Sequence, residues 1–412
     1  MSALERTVDA SAAELAAVRP AGSDVDPRAC AAAATLGFVS EPGDGVLGRL
    51  VAALGAIRTA ELLLDDRPAA EVTGEAGEHG AAVSVHEVTA GLQRWRPRRD
   101  HAAFARGLAQ AARVGARLVL PADPEWPDGV DDLGVHAPLT LWLRGDVASL
   151  TRRPSIALVG ARAATGYGEH VAVEAAAGLV DRGFCIVSGG AYGIDGTAHR
   201  SALASGGTTV AFLAGGVDRF YPVGHEALLA RIAETGAVVS EMPCGAAPTR
   251  WRFLQRNRLI AAAAQATVVL EAGMRSGSLN TAGHAAALGR PLGAMPGPVT
   301  SPASAGCHRL LREFDAVCVT DAAQMAELVG AVGSPDAAGP EAGSTAPRAI
   351  ELLTSDERRV LDALGVRRAR TVTELATRSG LGTGAVLGAL GALDATGLAR
   401  RVDDGWVRLR SA

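Results

Sequence analysis

Four arginines fall within nine residues at 250–258, in the order Arg250, Trp251, Arg252, Phe253, Leu254, Gln255, Arg256, Asn257, Arg258. Arginine forks onto phosphates, aromatic rings stack on bases, and a side-chain amide reads or clamps a base edge. The cluster therefore has the composition of a single-strand nucleic-acid binder. Its bland counterpart is a solvated helix face whose aromatics belong to the core.

Glycine turns supply a second kind of anion chemistry. In SGGAYGIDGTAHR (188–200) an apolar run ends at Gly189-Gly190, followed by Gly193, Asp195 and His199. A strand that empties into a glycine turn before a helix leaves backbone N–H groups pointing outward at the positive helix end. The pattern recurs in GARAATGYG (160–168), with Arg162 at the strand end, and in VVLEAGMRSGSLNTA (268–282). There Ser276-Gly277-Ser278 brings hydroxyls and N–H groups to a helix start. An exposed guanidinium at a helix N-terminus is repelled by the dipole unless an anion lies between them, so Arg162 points to a phosphate-bearing ligand. Asp195 and His199 are spaced to pair on one helix face, as a catalytic dyad or a structural pair. Glu271, at a strand end, is either a general acid/base or an acceptor for Arg256 or Arg258.

The elements that must carry these residues follow from length and pattern. At 412 residues the chain predicts two or three domains, and 48% apolar content supports a sizeable core. The net charge of −4 places any nucleic-acid contact in a local patch. All 40 basic residues are arginine, which excludes a lysine-bearing P-loop. Five scattered cysteines without a CxxC pair, and nine histidines without HExxH, predict no disulfide framework, metal site or cofactor. Without a signal-like N-terminus or a membrane-length apolar run, the expectation is a cytoplasmic protein with no membrane partner.

Residues 1–27 read as a loose leader and 28–66 as a helical module broken at Pro42-Gly43-Asp44-Gly45; 67–90 show little pattern and read as a loop. A helix over 99–114 and a short strand over 117–120 follow. Strands over 156–159, 185–187, 209–213, 238–240, 267–270 and 292–295 alternate with helix-length segments. That alternation predicts an α/β fold with a parallel sheet covered on both faces, its glycine turns all at the carboxyl edge. The stretch 332–353 reads as a flexible linker. Beyond it, helices over 355–364 (Ser355 as N-cap), 371–379 and 383–395, with a hairpin around Asp403-Asp404-Gly405, predict a winged helix over 354–412. Its wing carries Arg400, Arg401, Arg408 and Arg410 while its second and third helices are nearly devoid of basic residues, so DNA and protein contact both stay open.

These motifs, with FYP (220–222), SEMPCG (240–245), FLQRNRLIA (253–261), MPG (295–297) and Glu125-Trp126-Pro127, occur in an order that closely resembles the DNA-processing protein A (DprA/Smf) family. The resemblance runs from about residue 28 to the C-terminus, except 67–90 and the linker. It implies a SAM-like helical module over 28–90, an extended Rossmann-like domain over 91–331 and the winged helix. It also implies a non-enzymatic homodimer that binds and protects single-stranded DNA and helps load the RecA recombinase, with natural transformation as the best-known setting. Carried onto this chain, the DNA pocket comprises Arg162, Gly189, Gly190, Phe253, Arg256, Asn257 and Arg258. Arg250 and Arg252 join it on charge density, and Ser276, Gly277 and Ser278 on the phosphate chemistry of their turn. The chain departs from the family pattern at Leu254, where proline is usual, at Asn280, where isoleucine is usual, and around Phe314-Asp315. The rival readings are a phosphoribohydrolase-like enzyme of a related fold and a transcription regulator acting through the winged helix.

Overall fold

The computed structural model describes residues 2–19, 25–330, 353–365, 368–402 and 405–409. The chain divides into two compact units, Met1–Pro335 and Asp336–Ala412.

The first unit opens with six helices: α1 (Ala3–Val18), α2 (Pro27–Val39), α3 (Gly45–Leu64), α4 (Ala69–Glu78), α5 (Val85–Trp95) and α6 (His101–Arg113). The expected loose leader is thus largely helical. Ser2 and Glu5 form a capping box, and Leu4, Thr7, Ser11, Leu15 and Val18 bury one stripe of α1. Arg19 then forks onto Asp123 at 2.5 and 2.8 Å, tying the segment to the rest of the unit. Alanine-rich composition hid that stripe. The expected loop at 67–90 likewise contains α4 and the start of α5, which bury Val72 and Ala76, and Val88, Leu92 and Trp95.

A nine-stranded sheet follows, ordered β1-β2-β6-β5-β4-β3-β7-β8-β9. Its strands are β1 (Arg117–Val119), β2 (Leu141–Gly145), β3 (Ser155–Gly160), β4 (Cys185–Ser188), β5 (Thr209–Leu213), β6 (Ala237–Ser240), β7 (Ala266–Glu271), β8 (Leu292–Ala294) and β9 (Val317–Cys318). From β6 to β9 every pairing is parallel; β2 joins β6 and β1 antiparallel, an extension the spacing did not predict. Crossovers are α7 (Gly166–Val180), α8 (Ile194–Ala204), α9 (Glu226–Thr235), α10 (Arg250–Ala263), α11 (Ser278–Ala287) and α12 (Ala305–Glu313), and α13 (Ala322–Gly330) follows the last strand. Alternation along β3 shows the two covered faces: Ile156 and Leu158 pack with α7, α8 and α13, whereas Ala157 and Val159 pack with α10, α11 and α12.

The second unit has helices α14 (Ser355–Ala363), α15 (Val372–Ser379) and α16 (Thr383–Ala395) and a hairpin of β10 (Ala399–Val402) and β11 (Gly405–Arg408). Its core is Val360, Leu375, Val386, Leu390 and Leu393. The N-cap of α14 is Thr354, in a capping box with Glu357, one residue before the expected Ser355. The linker expected at 332–353 lies, but for Leu353, outside the described residues, as do Asp403, Asp404 and Arg410.

Candidate nucleic-acid interface

The parallel strands deliver their carboxyl ends to one edge, and the glycine turn after β4 sits there on a buried guanidinium. Arg256, only 5% exposed, donates from Nη1 to the carbonyls of Gly189 (2.6 Å) and Phe212 (2.7 Å). A Cβ on Gly189 would lie 2.0 Å from that Nη1 and 2.7 Å from Asp195 Oδ2, so only glycine fits. Gly190 has φ 66°, a conformation that favours glycine. Burial pushes the Arg256 guanidinium down to about 10, with Asp195 opposing and Arg162 reinforcing the shift. It therefore stays charged at neutral pH. Burial also pushes the Asp195 carboxyl up, against Arg256 and the backbone hydrogen bonds of Ala191, Gly160 and Gly189. Arg256 through the Gly189 and Phe212 carbonyls, and Asp195 through the Gly160 and Gly189 amides, thus brace the ends of β3, β4 and β5 from below.

Above it lies a layer of aromatic and cationic groups. The Arg162 guanidinium sits 5.0 Å from the Phe253 ring centroid, and that of Arg256 sits 5.9 Å away. Tyr221, 46% exposed, stands 5.8 Å from Phe253 at 54°. These are cation–π and tilted-ring distances. Arg162 itself is exposed. Two more exposed tyrosines flank this edge: Tyr192 lies edge-on to His225 at 4.7 Å, and the Tyr167 hydroxyl donates to the Pro296 carbonyl.

The remaining arginines of α10 have other partners. Arg252 donates from Nε and Nη2 to Glu41 at 2.9 and 2.8 Å, and Glu41 also accepts from Arg98 at 2.6 Å. Arg258, 3% exposed, donates from Nη2 to both oxygens of Glu241 at 2.8 Å. Its Nε lies near Gly43, at the break between α2 and α3. The structure therefore turns Arg252 and Arg258 toward carboxylates and the helical module and not toward an open groove; Arg250 is exposed at the first residue of α10.

Asn257 is buried and donates to the Gly277 carbonyl (3.3 Å) and to Asn280 Oδ1 (3.2 Å). It holds the Ser-Gly-Ser turn from beneath, and the off-pattern Asn280 is one of its acceptors. Ser276 and Ser278 share a hydroxyl hydrogen bond of 2.7 Å. Gly277, the N-cap of α11, supplies no side-chain cap, and the first amides of that helix are taken up within the turn: Ser278 donates to Ser276 Oγ at 3.4 Å, Leu279 to the Ser276 carbonyl at 3.3 Å and Asn280 to the Gly277 carbonyl at 3.1 Å.

Two expected pairings do not form. His199 Nδ1 bonds Thr209 Oγ1 at 2.7 Å, while Asp195 serves the glycine turn, so no Asp195–His199 dyad exists. Burial pushes the His199 imidazole down to about 3, helped by His225, Arg256 and Arg200, which keeps it neutral. Glu271, 2% exposed, accepts from the Thr165 amide (2.8 Å) and hydroxyl (2.5 Å), not from Arg256 or Arg258.

Residues 117–330 match the family model described as DNA recombination-mediator protein A, and 344–405 match the DprA winged helix domain. The putative DNA processing protein DprA of Mycobacterium tuberculosis (strain H37Rv) is 45% identical over 94% of this chain and 96% of its own length. The chain belongs to the DprA family. Protein Smf of Escherichia coli (strain K12) is 34% identical, covering 71% of this chain and 78% of Smf. The X-ray structure of DprA from Streptococcus pneumoniae superposes with a TM-score of 0.58 at 29% identity, covering 71% of this chain and 95% of that one.

Against that family background, the site holds residues that sequence reasoning passed over. The chain has only three tyrosines; Tyr192 and Tyr221 fall in turns and Tyr167 in the first turn of α7, each after a parallel strand. That coincidence was legible: each follows a strand by a few residues, and each is followed by glycine or proline. Glu41 and Glu241 carried no such signal. No helix among the described residues is long and apolar enough to cross a membrane.

Proposed function

We propose that this DprA-family chain binds single-stranded DNA at the carboxyl edge of its sheet and acts as a recombination mediator without catalysing a reaction. The observation that carries this reading is the layer of exposed Arg162 and Tyr221 on half-buried Phe253, above the Arg256-braced glycine turn. Rings of this kind stack on any base and guanidiniums meet any phosphate, so binding is sequence-tolerant and salt-dependent. The Gly190 and Gly277 amides and the Ser276 and Ser278 hydroxyl pair offer donors along the same edge, while the Gly189 amide serves Asp195. In this reading Arg256 and Asn257 brace the groove from beneath, and Arg252 and Arg258 act on its walls through their carboxylate partners. The protein works as a cytoplasmic homodimer that protects the strand and helps load the RecA recombinase.

The nucleotide-hydrolase alternative is disfavoured by the same contacts. Both Glu271 oxygens are engaged by Thr165, and Asp195 and His199 serve different partners.

Anisotropy of a labelled oligonucleotide, single-stranded against duplex across a salt series, tests the first part. Tight, salt-dependent binding that favours the single strand is expected; equal or stronger duplex binding would overturn it. Faster RecA filament growth on strands coated with single-strand-binding protein is expected of the mediator role, and an unchanged rate would refute that role.

A further inference from the structure

Glu271 grips both ends of the loop that carries Arg162. Its backbone carbonyl accepts from the Ala161 amide at 2.7 Å, and its carboxylate accepts from the Thr165 amide and hydroxyl. The Thr165 hydroxyl in turn accepts from the Gly168 amide at 3.1 Å, capping α7. A Cβ on Gly168 would lie 2.3 Å from Glu271 Oε2, so the carboxylate packs directly on the first turn of that helix. A negative charge there is stabilised by the helix dipole. The anion that the N-terminus of α7 calls for, beside Arg162, is therefore part of the protein. From the other side the loop rests on Gly193: the Ile194 amide donates to the Ala161 carbonyl at 3.1 Å. With φ 74°, Gly193 would set a Cβ 2.2 Å from that oxygen and 2.6 Å from the Arg162 carbonyl.

We propose that Glu271 is a positioning residue: an internal anion at the start of α7 that clamps residues 161–165 and so presents Arg162 and its stacked Phe253 to the DNA. This rests on the single-strand reading above and gives Glu271 a role in it that is neither catalytic nor in contact with DNA. It makes a prediction of unusual sign. A negative charge beside a DNA groove repels phosphate, so plain electrostatics has its removal tighten binding. A clamp predicts the reverse.

The test uses the full chain with Glu271→Ala and Glu271→Gln, read by anisotropy on labelled oligo-dT over a salt series and by amide hydrogen exchange without DNA. Gln retains an oxygen for the Thr165 amide and offers N–H to its hydroxyl; it is expected to bind within about twofold of the parent. Ala is expected to speed exchange at 161–165 and weaken binding about tenfold, with a salt slope lower by about 0.7, the loss of one phosphate contact on a single strand. On an Arg162→Ala background it should add nothing, because both changes remove the same contact. Tighter or unchanged binding by Glu271→Ala, or full additivity with Arg162→Ala, would overturn the proposal. If Glu271→Ala does not fold, Thr165→Val removes the hydroxyl half of the clamp and carries the same expectations. Lack of single-strand preference in the parent sinks the functional reading; unchanged exchange at 161–165 in the Ala variant sinks the clamp on its own.

Discussion

Two arginine-rich regions of the first unit meet along α10 and differ in what their guanidiniums face. Toward the helical module, Arg252 and Arg258 end on Glu41 and Glu241, and Arg98 shares Glu41. At the carboxyl edge of the sheet, Arg162 and Arg256 end on a phenyl ring and on backbone carbonyls. The first set is neutralised within the protein: Arg252 and Arg98 meet at Glu41, between α2 and α3, and Arg258 is tied to Glu241 just after β6. In the second, Asp195 acts on Arg256, and under the proposed function the exposed Arg162 keeps its field for an incoming anion. Arginine density in a sequence therefore measures two things at once, and only the partners separate them. The winged helix offers a third case: Arg400 and Arg401 are exposed, while Arg408 reaches Asp362 at 3.7 Å.

The contrast is most exposed to failure at the stacked layer. Phe253→Ala combined with Arg162→Ala is expected to weaken single-strand binding about 100-fold, since stacking alone contributes roughly 1–3 kcal/mol per base, while the melting temperature moves little. A loss no larger than that of an Arg252→Ala control would erase the distinction between the two regions. Arg256→Ala differs from both, because it strands two buried carbonyl oxygens; alongside weaker binding it should cost roughly 1–3 kcal/mol of stability.

On the paired side the readout reverses. Arg258→Ala leaves the Glu241 carboxylate without its partner and is expected to lower stability by about 3 kcal/mol in denaturant unfolding. The salt slope of DNA binding in the surviving folded fraction should stay at the parent value; a slope reduced as in Arg162→Ala would place Arg258 on the DNA after all.

Buried His199 and half-buried His284 behind the edge give a pH test of intermediate size. His199 is held near 3 and His284 near 4, both chiefly by burial, the latter also by Arg258 and His136. In the unfolded chain both protonate near 6.5. Stability is thus full above that pH and falls as pH drops from about 6.5 toward the folded values, by roughly 1.4 kcal/mol per unit for each imidazole. Melting curves between pH 7 and 5 should show this fall, and His199→Gln should flatten it; an equally steep curve in that variant would clear His199 of the effect. The smallest change is expected in the second unit. Arg400→Ala with Arg401→Ala should alter single-strand affinity less than threefold, and a larger loss would make the wing a second DNA surface.

Much of the edge was legible before the fold was known. Apolar runs ending in Gly160, Ser188-Gly189-Gly190 and Glu271-Ala272-Gly273 located three strand ends, and period and glycine placement are local properties that survive any tertiary context. The stripe of α1 was just as local, but alanine and threonine carry too little contrast to outline it. Strand β2 escaped because its neighbours are set by pairing with β6, nearly a hundred residues later.

What the sequence by itself determined is the set of chemical parts and the order in which strands present them: glycine turns, a run of arginines with a phenylalanine, and hydroxyls at a helix start. Only the tertiary structure decided which parts remain available. Glu41 reaches Arg252 across 211 positions of chain, and Glu271 reaches Thr165 across 106. Charge is a property of a residue, but neutralisation is a property of a distance of a few ångströms, and no spacing along the chain encodes it.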